Sequence, residues 1–253
     1  MNMISAAIVT LNEDTKLEKC LASIEGFADE IIVVDLGSSD KTKEVCKRAG
    51  AKLLKHEFRP YVELLRNFAI SQTKGDWILI LDPDETVSDN LKNKLKQIVS
   101  EEKYVAVNIP RKNLFFGKWI SHSNWWPDRH IRFFKKGHVV WSDRIHSYPK
   151  VDGQMLSLSA DEDLAISHFG YDNLSQFLDR QNRYSDIEAK QKYQSGERFS
   201  WKGFLWLPLR EFLVRFIKHQ GFLDGGLGFS LTAMMMIYQL AVVIKLWELE
   251  QRK

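Results

Sequence analysis

Gly75-Asp76-Trp77-Ile78-Leu79-Ile80-Leu81-Asp82-Pro83-Asp84-Glu85 is the stretch on which the fold turns. An unbroken apolar run this short, bounded by glycine on one side and a polar turn on the other, reads as a buried strand. The turn behind it is stiff. Pro83 fixes its own backbone angle, so the carboxylates of Asp82 and Asp84 project from a rigid base.

On the N-terminal side the same grammar repeats. Ser5–Thr10 (SAAIVT), Glu30–Asp35 (EIIVVD) and Ala51–Lys55 read as strands. Between them, Leu17, Cys20, Leu21 and Ile24 share one helical face, with a capping-box spacing at Thr15 and Glu18 and Gly26 as a stop. A second helix ends at Gly50. A third, Glu63–Thr73, aligns Leu64, Leu65, Phe68 and Ala69 and closes at Gly75. Beyond the acidic turn, Leu91, Leu95, Ile98 and Val99 mark another helix, and Tyr104–Ile109 another strand. Alternation of this kind predicts an α/β fold with a mainly parallel, Rossmann-like sheet. Such sheets bind ligands outside the carboxyl ends of their strands. Those ends are Thr10-Leu-Asn12-Glu13, Asp35-Leu-Gly37-Ser38-Ser39-Asp40 and Asp82-Pro-Asp84-Glu85. One acidic strand end is often only a helix cap. Three on one side point to a polar, cation-requiring ligand, since Mg²⁺ and Mn²⁺ take few protein carboxylates and fill their shells with water and phosphate oxygens.

From Asn108 the alternation stops, and Phe115, Phe116, Trp119, Trp125, Trp126, Arg129, Arg132, Phe133 and Phe134 interleave aromatic with basic residues. That pattern suits single-stranded nucleic acid or a stacked sugar ring. The net charge of only +3 and the acidic turns upstream exclude nucleic acid as the expected partner. With 44% hydrophobic residues the chain is no disordered protein. Cys20 and Cys46 lie in apolar-periodic segments without metal-ligand spacing, which suits a reducing compartment. No basic-then-apolar leader precedes the first strand, so a cytosolic enzyme is expected.

Taken in order, Ala6-Ala-Ile-Val-Thr10-Leu-Asn12-Glu13, Asp29-Glu-Ile-Ile-Val-Val-Asp35-Leu-Gly-Ser38-Ser39-Asp40-Lys41-Thr42, Leu65-Arg66-Asn67-Phe-Ala and Gly75 to Glu85 resemble the family-two inverting glycosyltransferases of GT-A nucleotide-sugar fold. Pro127-Asp128, Ile131-Arg132-Phe133-Phe134, His146, Ile166-Ser-His168-Phe, Gly221-Phe-Leu-Asp224-Gly225 and Gly228-Phe229 resemble a subgroup of bacterial inner-membrane enzymes. Its members include the lipopolysaccharide-core glucosyl- and heptosyl-type transferases. The resemblance implies that Thr10, Asn12, Glu13 and Asp35 line a nucleotide-base pocket and that Arg66 approaches base or diphosphate. Asp82 would face ribose and metal, and Asp84 would be the main ligand of a divalent Mn²⁺ or Mg²⁺. His146 is a third metal ligand, a phosphate donor or an ordinary core histidine. The donor would be a nucleoside-diphosphate sugar, a UDP-sugar first of all, and the acceptor a glycan or lipid-linked molecule.

Inverting transfer also needs a base for the acceptor hydroxyl. Asp128 leads, because its aromatic neighbours suit a sugar ring, and Asp143 is the alternative carboxylate. Relatives often carry His-Glu where this chain has His146-Ser147, which weakens any base at position 147. Two other classes share the scaffold: a non-catalytic nucleotide-sugar-binding protein and a sugar nucleotidyltransferase. The second would open with a Gly-rich basic loop, absent after Thr10.

Residues 1–170 are read as the catalytic domain and 171–253 as a helical, membrane-associating region. Phe204–Lys218 is amphipathic, with Arg210, Arg215 and Lys218 available to anionic headgroups and Pro208 set to kink or break it. Phe229–Ile244 is apolar but shorter than the roughly 20 residues that span a bilayer. Helices lying in the headgroup layer on the cytoplasmic face of the inner membrane are therefore expected. A helical bundle or a homodimer contact is the other reading.

Overall fold

A computed structural model describes residues 2–58, 63–141 and 148–252 and forms two compact units, Met1–Lys112 with Arg129–His168, and Asn113–Asp128 with Phe169–Lys253. The sequence boundary at residue 170 does not anticipate that Asn113–Asp128 groups with the C-terminal helices.

The sheet runs in the order β3-β2-β1-β4-β8-β6-β12-β5. Its strands are β1 (Ile4–Thr10), β2 (Glu30–Asp35), β3 (Lys52–Lys55), β4 (Trp77–Leu81), β5 (Glu85–Val87), β6 (Ala106–Phe115), β7 (Lys118–Trp119), β8 (Asp128–Lys135), β11 (Met155–Ser157) and β12 (Ile166–Tyr171), with β7 and β11 pairing to β6. A separate hairpin pairs β9 (Val139–Val140) with β10 (Lys150–Val151). The expected α/β class is what is observed. β3, β2, β1 and β4 are mutually parallel, whereas β8 is antiparallel to β4 and β12 to β5. β1 is buried along its whole length and alternates its faces, Ala6 and Ile8 entering one core and Ala7 and Val9 the other.

Helices α1 (Asp14–Ser23), α2 (Thr42–Arg48), α3 (Glu63–Ser71) and α4 (Asp89–Glu101) link the strands. The Thr15–Glu18 capping box is not used. α1 begins one residue earlier, at Asp14, and Glu18 pairs with Arg48 at 2.9 Å. Gly75 does more than stop a helix. A Cβ there would stand 2.6 Å from Ser5 Oγ and 2.8 Å from Met3 O, so only glycine lets this turn pass against β1. Because the chain steps from β1 outward to β2 and β3 and then returns to β4 on the other flank, β1 and β4 form the switch point at which α/β sheets bind ligands.

In the second unit α5 (Leu174–Gln194) and α7 (Gly225–Gln251) pack around Phe115, Ile120, Phe177, Leu231 and Val242, and α6 (Trp201–Phe212) packs against α7. α6 runs through Pro208 unbroken and continues as a π-helical turn over Leu213–Lys218. α7 corrects the length argument: the helix extends well past Phe229–Ile244, and Gly221–Gln251 is long and apolar enough to cross a membrane. Its polar contacts tell against a span. Lys245 Nζ reaches Asp186 Oδ1 at 2.8 Å and Asn182 Oδ1 at 2.6 Å on α5, and Tyr238 donates to Glu188. α5 also carries Asp179, Arg180, Arg183 and Lys190, charges that hydrocarbon does not accept.

Candidate active site

The acidic turn after β4 is built around a buried arginine. Glu85 is fully buried and Arg132, from β8, is 3% exposed. Arg132 Nη2 donates to Glu85 Oε1 at 2.6 Å and to Asp82 Oδ2 at 2.5 Å. Arg111 Nη1, from β6, adds a bond to Glu85 Oε1 at 3.3 Å, and the Asp82 N–H donates to Glu85 Oε2 at 3.0 Å. Burial alone would raise the Asp82 carboxyl pKa. The Arg132 and Arg66 charges outweigh it and hold the group well below the usual carboxylate range. The same pairing pushes Arg132 up, against its own desolvation. Cys20 on α1 lies beneath the turn, its Sγ 3.6 Å from Asp82 O, and burial with the charges of Glu85, Asp84 and Asp82 raises its pKa.

Asp84 is 4% exposed and His168 8%. β12 runs antiparallel to β5 and sets His168 opposite Glu85, which brings His168 Nε2 to 3.4 Å from Asp84 Oδ2. His168 was visible in the Ile166-Ser-His168-Phe motif, yet sequence reading gave it no role. Its strand partner, 83 positions earlier, is not evident from periodicity. Among the described residues no group of three or more His, Cys, Asp and Glu side chains converges as a metal cluster. His146 and Asp143 lie outside the described residues.

The strand ends β1 and β2 lie in register, Thr10 opposite Asp35. Thr10 Oγ1 and Arg66 Nε are buried without a hydrogen-bond partner among the described residues. Arg66 Nη2 stands 3.6 Å from Asp82 Oδ1, and a small cleft between β1, β4 and α3 is lined by Ala7, Val9, Arg66, Ala69, Ile80 and Asp82. Asn12 has a scaffold task. With φ +54 it turns the chain after β1, its Oδ1 accepts from Ser39 N at 2.8 Å, and its N–H donates to Ser38 Oγ at 2.8 Å. Asp35 Oδ1 likewise accepts from Ser38 N at 2.9 Å. Glu13 immediately precedes α1, and its carbonyl accepts from Leu17 N at 2.8 Å.

In the second unit, Asp128 Oδ2 accepts from Asn113 Nδ2 at 3.1 Å, and the same buried amide bonds Trp125 O at 3.0 Å. Trp125 is not an open platform for a sugar ring. Phe115 meets it edge-on at 4.8 Å and the Arg215 guanidinium lies 5.0 Å from its centroid. Arg215 also bonds Glu211 at 2.8 Å and Ser123 O at 3.1 Å, so it is not available to headgroups as the amphipathic pattern suggested.

The sequence profile of glycosyl transferase family 2 matches residues 5–151. The chain belongs to that family. Similar glycosyltransferases extend the match over most of its length. An uncharacterized glycosyltransferase of Rickettsia typhi is 28% identical over 89% of this chain and 82% of its own. The lipopolysaccharide core biosynthesis glycosyltransferase LpsC of Rhizobium meliloti is 24% identical over 97% of this chain and 92% of its own. Among solved structures, glucosyl-3-phosphoglycerate synthase from Mycobacterium tuberculosis, crystallised with Mn²⁺ and uridine diphosphate, superposes with a TM-score of 0.37. It is 23% identical and spans 45% of this chain and 44% of that one. TarS of S. aureus, at 12% identity, gives a TM-score of 0.48 over 74% of this chain and 63% of that structure.

Proposed function

We propose that this family-two enzyme transfers a sugar, with inversion, from a nucleoside-diphosphate sugar to a glycan or lipid-linked acceptor, with a divalent cation and at a membrane surface. The observation that carries the reading is the approach of a buried carboxylate and an imidazole, Asp84 and His168, at the carboxyl end of the sheet's switch point. An oxygen donor from the turn between β4 and β5 and a nitrogen donor from β12 fit an octahedral ion that leaves most of its positions to phosphate oxygens and water, and the imidazole favours Mn²⁺ over Mg²⁺. Bound there, the cation would neutralise charge on the departing diphosphate. Asp82 stays ionised under Arg132 and Arg66, and is a constant acceptor for donor hydroxyls. Thr10 Oγ1 and Arg66 Nε, without partners among the described residues, would bond the donor, with Asp35 at the neighbouring strand end; Asn12 and Glu13 shape the turn that presents them. Asp128, held by Asn113, would take the proton from the acceptor hydroxyl.

A UDP-sugar is the first donor to test, and the LpsC relative supports a role in lipopolysaccharide core or other surface polysaccharide synthesis on the cytoplasmic face of the bacterial inner membrane. The membrane reading is supported by Trp201, Leu205, Leu209, Leu213 and Ile217. They recur every fourth residue along α6 and the π turn, and each is at least 42% exposed. Lys202, Arg210 and Lys218 lie on the same segment.

The test is a panel of nucleotide sugars scored for transfer or donor hydrolysis, with and without chelator. Asp84→Ala and His168→Ala should each reduce Mn²⁺-dependent turnover at least 100-fold while the circular dichroism spectrum is kept. Pyrophosphate release from a nucleoside triphosphate would mark a nucleotidyltransferase instead. Binding of a nucleotide sugar with no turnover on any acceptor would mark a binding protein, and full activity in Asp84→Ala would remove the metal assignment.

A further inference from the structure

Asp224, at the start of α7, has a side chain only 5% exposed and no part in the proposed chemistry. Its carboxylate is the hub of a loop about a hundred residues earlier. Oδ1 accepts from Ser121 N at 3.3 Å and Ser121 Oγ at 3.4 Å, and meets His122 Nδ1 at 3.1 Å. Oδ2 accepts from His122 N at 3.1 Å and Ser123 Oγ at 3.2 Å. The C-terminal segment adds two more bonds, Ser123 N to His219 O at 2.9 Å and Arg215 Nη1 to Ser123 O at 3.1 Å. Two glycines are shaped by this junction. A Cβ on Gly221 would stand 2.5 Å from Ser123 Oγ, and one on Gly228 would stand 2.1 Å from Gly221 O.

The loop needs such support. Ser123 and Asn124 are consecutive non-glycine residues at φ +56 and +61, a left-handed conformation that L residues disfavour and hold only when neighbours over-determine it. From the fixed end the hydrogen bonds run on without a gap. Trp125 N donates to His122 O at 2.9 Å, and Asn113 joins Trp125 O to the Asp128 carboxylate.

We propose that Asp224 is a positioning residue: the carboxylate delivered by the C-terminal helices fixes Ser121–Trp125 and, through Asn113, the orientation of Asp128. The link to catalysis rests on Asp128 being the base. The full-length chain tests it by hydrogen exchange and turnover together. Asp224→Asn turns one acceptor into a donor facing donors, and should speed amide exchange across Ser121–Asp128 at least tenfold while β4 amides keep their wild-type rates. Ser123→Ala, which removes a single bond, should give a smaller increase of about threefold and covers the case in which Asp224→Asn fails to fold. With the donor selected from the panel above, Asp224→Asn should lower kcat at least tenfold and leave the donor KM within twofold. Unchanged exchange in both variants would overturn the proposal, as would equal losses in kcat and donor affinity. Asp128→Asn serves as the control. It should keep wild-type exchange and lose turnover; if it turns over normally the base assignment fails, while the exchange data still decide whether Asp224 holds the loop.

Discussion

Arg132 is the side chain whose removal should cost this fold most for its size. Its guanidinium is nearly buried and bridges Asp82 and Glu85 at 2.5 and 2.6 Å. Arg132→Met leaves both carboxylates in place with the larger part of their compensation gone, and breaking a buried pair from one side costs about 3–5 kcal/mol. Arg111 remains 3.3 Å from Glu85 and Arg66 3.6 Å from Asp82, so the lower end, about 3 kcal/mol, applies. At about 2–4 °C per kcal/mol for a chain of this length, Tm should fall by roughly 6–12 °C at pH 7. The loss carries a pH signature with a definite sign. Asp82 has a folded pKa below its unfolded value, so its contribution is fully present above the unfolded carboxylate pKa of about 4 and is lost as pH falls through the folded value. In Arg132→Met the Asp82 carboxylate loses the charge that holds its pKa down and protonates more readily. The gap between wild type and variant should therefore be widest at neutral pH and close progressively below about pH 4–5. Glu85→Gln in the Arg132→Met background should recover part of the loss, because a neutral amide needs no counter-ion. Thermal melts followed by circular dichroism between pH 7 and pH 3.5 measure all three. A fall of less than 2 °C at pH 7, or a gap that does not change with pH, would refute the ion-pair account.

Cys20 should be inert to thiol reagents at pH 8 in the native state and react at least 100-fold faster once the chain is unfolded, because burial and three carboxylates disfavour its thiolate. Asp128→Asn should lower turnover about 10²- to 10⁴-fold with donor affinity within twofold, as measured by single-turnover kinetics and calorimetry; loss of donor binding would move Asp128 into the donor pocket. Replacing Trp201, Leu205 and Leu209 by Ser together should reduce partitioning onto phosphatidylglycerol vesicles at least tenfold, and salt should weaken wild-type binding. A wild-type chain that ignores such vesicles at low salt and sediments as a stable dimer would make the ridge an assembly surface.

The α/β class was readable because β1, β2 and β4 are buried on both faces and so spell apolar runs, and because their ends are polar where the switch point demands it. What periodicity conceals is the antiparallel half. β8 and β12 enter the sheet beside strands far away in sequence, and only that pairing makes Arg132 the partner of Asp82 and Glu85, or His168 the neighbour of Asp84. In the sequence Arg132 reads as part of a basic-aromatic stretch, because its charge is visible there and its counter-charges, 47 and 50 positions away, are not. The tail misled for a related reason. Arg215 has the spacing of a headgroup contact, but Glu211 four residues before it and Trp125 elsewhere in the unit take up its charge. The apolar count of Phe229–Ile244 set a helix too short to span, when the helix continues through Lys245, Trp247 and Glu250 on contacts that no hydropathy window registers.

The balance of charge around the acidic turn bears on why a cation belongs in the proposed reaction. Asp82, Asp84 and Glu85 bring three negative charges, and Arg66, Arg111 and Arg132 bring three positive ones. Two of the arginines hold Glu85, which is wholly buried, and two contact Asp82, so most of that positive charge serves the turn's own carboxylates. Among the described residues, a diphosphate arriving at this turn would find these guanidiniums already engaged by carboxylates. On the proposed reading, Asp84 and His168 supply what is missing by holding a divalent ion whose charge the arginines do not already offset. An enzyme that stabilised its leaving group with arginine alone would be expected to aim a guanidinium outward from the carboxyl end. Here Arg132 is turned inward and buried, which makes the turn a rigid platform for Asp84. Loss of Arg132 should then loosen Asp84, the carboxylate proposed to hold the cation, as well as destabilise the fold. Mn²⁺ affinity, measured by calorimetry on a folded Arg132→Lys variant, should fall at least tenfold. An unchanged affinity would mean that Asp84 is held by the β5–β12 pairing alone.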